Sequence, residues 1–135
     1  MSIHSYHHQT SFGDCDPAGI VYYPNICKWL DATFHDWIRG HGGHASLCAR
    51  LGAMGLGLMD VHVKFRAPIR DGDRLAVTIT KVDWRERSLS VHYQVAHGDR
   101  ICAEGTETRG VFLVRDGRMT AGNTGPLQDI LSGDG

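Results

Sequence analysis

The segment Phe12-Gly13-Asp14-Cys15-Asp16-Pro17-Ala18-Gly19-Ile20-Val21-Tyr22-Tyr23-Pro24-Asn25 sets two carboxylates, a thiol, a tight turn and a helix start side by side. A fixed anion next to backbone N–H groups can attack or deprotonate at an acyl centre while the amides take up the charge that develops. Asp16 is the candidate, either as a nucleophile or as a general base on water. Its local alternative is the stronger reading by spacing alone: Asp before Pro commonly opens a turn and accepts backbone hydrogen bonds. Asp14, two residues back on an extended segment, is expected to turn elsewhere or to bind the turn's own amides. Cys15 is flanked by both carboxylates, which disfavour the thiolate, so it is read as a small packed side chain. No serine lies in a G-x-S-x-G elbow.

Two further groups of residues were weighed. The 9 histidines include His7-His8, His41-x-x-His44, His35, His62 and His92, but none forms H-E-x-x-H or a comparable ligand set. No metal site is expected, and His35 is assigned to packing or orientation. Arg85 and Arg87, in Lys81-Val82-Asp83-Trp84-Arg85-Glu86-Arg87-Ser88, sit between two strands, where guanidinium groups could bind phosphate bidentately. A solvated hairpin with ordinary surface charge explains them equally well.

The elements that would position these groups follow from periodicity. Ile26, Trp29, Leu30, Phe34, Trp37 and Ile38 recur at helical spacing from Pro24 to about Arg39, with Pro24 in the first turn and Gly40 and Gly42-Gly43 as the stop. Strands are expected over His4 to Phe12, Leu58 to Arg66, Leu75 to Thr80, Ser88 to Ala96, and Ile101 to Val114 with a bulge near Gly105 or Gly110. Hairpin turns are expected at His97-Gly98-Asp99-Arg100 and Asp116-Gly117. Ala45 to Leu51 and Pro126 to Leu131 allow short helices, and the tail is expected to carry little chemistry. The class is α+β: about five antiparallel strands curved around one long helix, with uncovered strand edges that favour self-association.

At 135 residues the chain is read as one domain, residues 1–135. With 41% hydrophobic and 21% charged residues and a net charge of -1, it lacks the basic excess of a general nucleic-acid binder. No apolar run is long enough to cross a bilayer, and no signal-peptide core is visible, so the expected compartment is the cytoplasm. The 4 cysteines, Cys15, Cys27, Cys48 and Cys102, are scattered without a C-x-x-C pair and are read as free thiols.

The opening segment, with Trp29-Leu30-Asp31-Ala32 after it and the Trp84-Arg85-x-Arg87-Ser88 turn, resembles the 4-hydroxybenzoyl-CoA thioesterases of the hot-dog fold superfamily. The resemblance implies an antiparallel sheet wrapped around the long helix, subunits paired edge to edge, dimers joined in a tetramer, and active sites at the subunit interface. It implies that Asp16 carries catalysis and that the Tyr23 backbone N–H polarises the thioester carbonyl. It also implies that Arg85 and Arg87 contact coenzyme A phosphates and that Asp31 lies near the far end of the acyl pocket. The expected reaction is hydrolysis of an aromatic acyl-CoA without metal or bound cofactor. The alternatives are a short- or medium-chain aliphatic acyl-CoA thioesterase and a non-catalytic acyl-CoA binding module.

Overall fold

In the computed structural model, which describes residues 2–133, the long helix runs over Pro24–Arg39 (α1). Pro24 takes the first turn, where a missing N–H leaves no bond unmade. Gly40 closes the helix, its N–H returning to Trp37 O. One face is buried as the periodicity requires: Ile26, Trp29, Leu30, Phe34, Trp37 and Ile38, with Thr33 between them donating its hydroxyl to Trp29 O at 2.7 Å.

That face lies on a single antiparallel sheet of six strands. These are His4–Gln9 (β1), Gly55–Phe65 (β2), Arg74–Trp84 (β3), Leu89–His97 (β4), Arg100–Arg115 (β5) and Arg118–Gly122 (β6). The order is β1-β3-β4-β5-β2, and β6 pairs with the end of β5. The sixth strand is the return of the Asp116-Gly117 hairpin, whose φ values of 54° and 74° are those of a two-residue turn matched to strand twist. Inward side chains alternate along the middle strands, with Leu75, Val77 and Ile79 on β3 and Val91, Tyr93 and Val95 on β4. The helix-in-sheet arrangement is the hot-dog fold. Helices His44–Leu51 (α2) and Gly125–Ser132 (α3) complete it.

Three expectations change. The first strand stops at Gln9, not Phe12, because Phe12–Asp14 coils into a short 3₁₀ turn closed by Asp14 N–H on Ser11 O. Neither Gly105 nor Gly110 is a bulge: Gly105 pairs in register with Val63 and Tyr93, and Gly110 with Gly57. The irregularities fall between Leu58 and Asp60 on β2, between Ile79 and Lys81 on β3, and opposite Cys102 on β5. Gly105 is required for a different reason. A Cβ there would stand 2.6 Å from Leu30 Cδ1, so its absence lets α1 settle onto the sheet.

Edge strand β2 is anomalous. Leu58 is 49% exposed, Met59 50%, Val61 38% and Phe65 55%, a row of large apolar side chains beside an unpaired backbone edge. Among the described residues, no helix is long and apolar enough to cross a membrane.

The Leu30–Gly105 contact makes a direct prediction. Leu30 is fully buried and has little room to swing aside. Gly105→Ala is expected to lower unfolding free energy by about 1–3 kcal/mol through overpacking. Urea denaturation followed by tryptophan fluorescence measures this, and an unchanged or raised midpoint would contradict it.

Candidate active site

Asp16, Pro17, Ala18 and Gly19 form a tight turn in which Gly19 N–H donates to Asp16 O at 2.9 Å, and Gly19 adopts a φ of +81° that favours glycine. The flanking residues make a miniature ladder: Asp16 N–H donates to Ile20 O, Cys15 bridges Val21, and Ile20 bridges Arg70. The Asp16 carboxylate does two things at once. Oδ1 accepts the Ala18 N–H at 2.8 Å, the local role that spacing favoured. Oδ2 has no hydrogen-bond partner among the described residues, so the turn fixes the carboxylate by one oxygen and leaves the other available.

The ladder delivers the chain to the N-terminus of α1. Asp14 O accepts both the Tyr22 N–H and the Asn25 Nδ2, each at 2.9 Å, which staples the turn to the first helical residues. Asn25 N–H closes on Tyr22 O and Ile26 N–H on Tyr23 O, and Pro24 has no N–H. Tyr23 N–H alone in this group donates to no acceptor among the described residues. A free amide at the positive end of a helix is a site for developing negative charge. Asn25 was not singled out by sequence, although an Asn after Pro at a helix start was a readable signal.

Asp14 is structural. Its Oδ2 accepts the Ser11 N–H at 3.0 Å and lies 3.2 Å from His8 Nε2, while the His8 ring rests on Trp29 at a centroid distance of 4.5 Å. Burial works to raise its pKa, but the Ser11 amide and the His8 ring outweigh it and hold the carboxyl below the ordinary value. The Cys15 thiol is pushed up, first by desolvation and then by Asp71 and Asp14, which fits the expectation that it is no thiolate. All four cysteines are free.

Beside the turn, Ile20, Val21, Tyr23, Ile26, Ile69 and Cys102 line an apolar cleft of about 370 Å³, with Arg66 at its rim. The Tyr23 ring meets Phe65 edge-on at 6.5 Å across its mouth.

The other predicted residues fall elsewhere. Asp31 lies two turns along α1, half-exposed, with Oδ1 accepting from Arg109 Nη2 at 2.7 Å. The buried set behind it, Arg109, Glu107 and Tyr93, was missed by sequence. Arg85 and Arg87 are exposed on the turn after β3. The Asp16 turn is tied to the chain just before β3, through Val21 N–H on Ile69 O and Thr10 N–H on Asp73 O. The eleven residues of β3 separate the two regions, roughly 35 Å at about 3.3 Å per residue. Within one chain, Asp16 and the arginine turn do not meet.

The tail holds that turn, contrary to the expectation that it carries little. Thr124, ahead of α3, donates its hydroxyl to Arg85 O and its N–H to Glu86 O, and Arg87 Nη1 donates to Ala121 O at 3.0 Å. The histidines do not assemble: His44 Nε2 accepts the Leu56 N–H, His92 pairs with Asp83, and His35 packs against Phe34 and His44. Burial lowers the His35 pKa, leaving it uncharged at neutral pH.

Asp14 sets a pH dependence. An unfolded Asp titrates near 3.9, and the folded carboxyl titrates lower, so its stabilisation is complete above that value and is lost as pH falls through the folded pKa. Asp14→Asn is therefore expected to be less stable than the parent at neutral pH, with the gap narrowing from about pH 5 to pH 3. Denaturation midpoints across that range test it; a gap independent of pH would contradict it.

Comparison with known proteins places this geometry. Residues 10–122 match the thioesterase-like superfamily. The chain is 30% identical over 113 residues to 4-hydroxybenzoyl-CoA thioesterase of Pseudomonas sp. strain CBS-3, covering 78% of this chain and 79% of that protein. It is 26% identical over 101 residues to 1,4-dihydroxy-2-naphthoyl-CoA hydrolase of Synechocystis sp., covering 73% and 72%. Superposition on the solved structure of the Pseudomonas enzyme gives a TM-score of 0.81 at 24% identity, over 94% of this chain and 96% of the other. The matched span contains the Asp16 turn, α1 and five of the six strands in full, and the chain therefore belongs to the thioesterase-like superfamily as a thioester hydrolase with the hot-dog fold.

Proposed function

We propose that this thioesterase hydrolyses an aromatic acyl-CoA of the 4-hydroxybenzoyl type to the free acid and coenzyme A. The observation that carries the reading is the pairing of a half-satisfied Asp16 carboxylate with an unbonded Tyr23 amide across one stapled turn. The thioester carbonyl oxygen accepts from Tyr23 N–H, where the helix end favours the oxyanion. Asp16 Oδ2 attacks the carbonyl carbon, the C–S bond breaks, and the thiolate of coenzyme A leaves. Water then opens the acyl-aspartyl anhydride, restoring the carboxylate and releasing the acid. In the alternative route Asp16 takes a proton from water, which attacks directly. Neither route calls for a metal or a bound cofactor.

The aromatic acyl group is supported by relatives named for 4-hydroxybenzoyl and dihydroxynaphthoyl thioesters, and by Asp31 on the same helix as Tyr23, a carboxylate able to accept from a ring hydroxyl. Arg85 and Arg87 bind the phosphates of coenzyme A, and because they stand so far from Asp16 in one chain, they serve the site of another copy. The apolar edge of β2 supports edge-to-edge pairing into dimers, and these dimers into a tetramer. Free thiols and a CoA substrate fit the cytoplasm. A second reading, a short- or medium-chain aliphatic acyl group, is favoured by one feature: the cleft beneath Tyr23 is apolar except at its Arg66 rim.

Asp16→Asn is expected to keep the fold and bind substrate within about threefold, while kcat falls at least about 10²-fold. Steady-state kinetics on a panel of aromatic and aliphatic CoA thioesters measures this and ranks the two acyl readings; a variant retaining a third of the parent rate would sink the assignment. Single turnover in ¹⁸O water separates the routes, since label enters the Asp16 carboxylate only through the anhydride. Val61→Lys, on the β2 edge, is expected to yield a smaller species by light scattering and to lose activity with it. A variant that dissociates yet keeps full turnover would remove the shared-site reading.

A further inference from the structure

Behind α1, a charged set lies where an apolar core is the rule. Glu107 is 1% exposed, Arg109 2% and Tyr93 2%. The Tyr93 hydroxyl and Arg109 Nε both donate to Glu107 Oε1, Arg109 Nη1 donates to Leu56 O at 3.2 Å, and the guanidinium stacks on the Phe34 ring at 4.1 Å. Each arm of the fork is thus engaged and its plane is fixed. Desolvation alone would make Arg109 a weaker base, but Glu107 and Asp31 outweigh it and its pKa is raised, so the cation persists. The Asp31–Arg109–Glu107–Tyr93 set reaches from the core to the surface and opens there at Asp31.

A surface carboxylate one turn from a helix neighbour ordinarily samples several rotamers, and ordering it costs entropy on binding. Asp31 is held: its Oδ1 is bound by Arg109 at 2.7 Å and lies 3.5 Å from His35 Nε2. Its Oδ2 has no partner among the described residues. Tyr23, Cys27 and Asp31 follow each other at four-residue spacing, so they share one strip of α1. Eight residues of helix rise about 12 Å. An acyl group of one aromatic ring, with a hydrogen bond of about 3 Å at each end, covers roughly that length. A carbonyl held at the Tyr23 N–H therefore sends a para hydroxyl to the free oxygen of Asp31.

We propose that Arg109 is the positioning residue that locks Asp31 as a fixed acceptor, so that the enzyme discriminates acyl groups carrying a distal hydroxyl from those lacking it. This rests on the aromatic acyl-CoA reading given above. The chemistry gives the direction. A site built to accept from a substrate hydroxyl is left with an unpaired polar group when the hydroxyl is missing, and discrimination by that route exceeds what an extra methylene provides. Because Asp31 is half-exposed, the expected ratio is about 10- to 100-fold, well short of that for a buried acceptor. Arg109 touches neither the substrate nor the reacting atoms, and acts through Asp31 alone.

The test uses binding of 4-hydroxybenzoyl-CoA and benzoyl-CoA to full-length Asp16→Asn protein, in which turnover does not interfere. The parent Asp16→Asn is expected to favour the hydroxylated ligand by at least about tenfold. Adding Asp31→Ala is expected to bring the two dissociation constants within about twofold. Adding Arg109→Lys, which keeps the charge beside Glu107 but loses the fork, is expected to cut the ratio at least fivefold with benzoyl-CoA affinity unchanged. A neutral pair, Glu107→Gln with Arg109→Gln, leaves no unpaired core charge and serves if the lysine variant does not fold; it is expected to cut the ratio equally. A merely structural Arg109 would weaken both ligands together and leave the ratio intact, which overturns the proposal, as does a parent ratio near one. If the preference is present and depends on Arg109, but wild type hydrolyses neither thioester, the reaction reading fails and the positioning role stands.

Discussion

The fit of Leu30 into the space left at Gly105 sets the position of everything chemical in this molecule. A missing Cβ on the middle of β5 lets α1 approach the sheet closely, and the helix then carries its N-terminus to the Asp16 turn and its second and third turns to the charged core. Depth decides function here. Raised by even a fraction of a side chain, α1 would move the Tyr23 amide away from the carboxylate and break the 2.7 Å contact between Asp31 and Arg109. The same packing supplies much of the hydrophobic stabilisation, since Leu30, Phe34 and Ile38 are completely buried along that contact.

Three aspartates near the helix illustrate how environment divides one chemistry into separate tasks. Asp14 is satisfied by Ser11 and His8 and is held as a permanent anion that pins the segment. Asp16 spends one oxygen on its own turn and keeps one outward. Asp31 is anchored by a buried cation and presents its other oxygen along the helix. A carboxylate with both oxygens satisfied is scaffolding, whereas one with a single oxygen tied down is both oriented and available.

Much of this was legible in the residues. The α1 face, the Asp116-Gly117 hairpin and the turn at Asp16 follow from local periodicity and turn chemistry, which are properties of neighbouring residues. Glu107 and Arg109 were also visible as charges on the inward-facing register of β5, with Ala103, Gly105 and Val111, but nothing local says that Tyr93 and Asp31 stand opposite them. The Thr124 clasp on the Arg85 turn joins residues far apart in sequence and was invisible for the same reason. Family resemblance placed Asp16 and the arginines in one site, while the length of β3 separates them in one chain; only the topology gives that distance.

The hydrogen bonds that hold the Asp16 turn reach to Ile69, Arg70 and Asp73, and β1 beside it closes on β3 some seventy positions away in register, His4 opposite Ile79. Contacts of that separation form late, because the loop must close before any contact compensates for the lost entropy. The helix can nucleate early from local sequence, but its carboxylate partner is assembled only when the sheet is complete. An unfinished chain leaving the ribosome therefore carries the helix without the reactive turn, and the nucleophile comes into being together with the native topology.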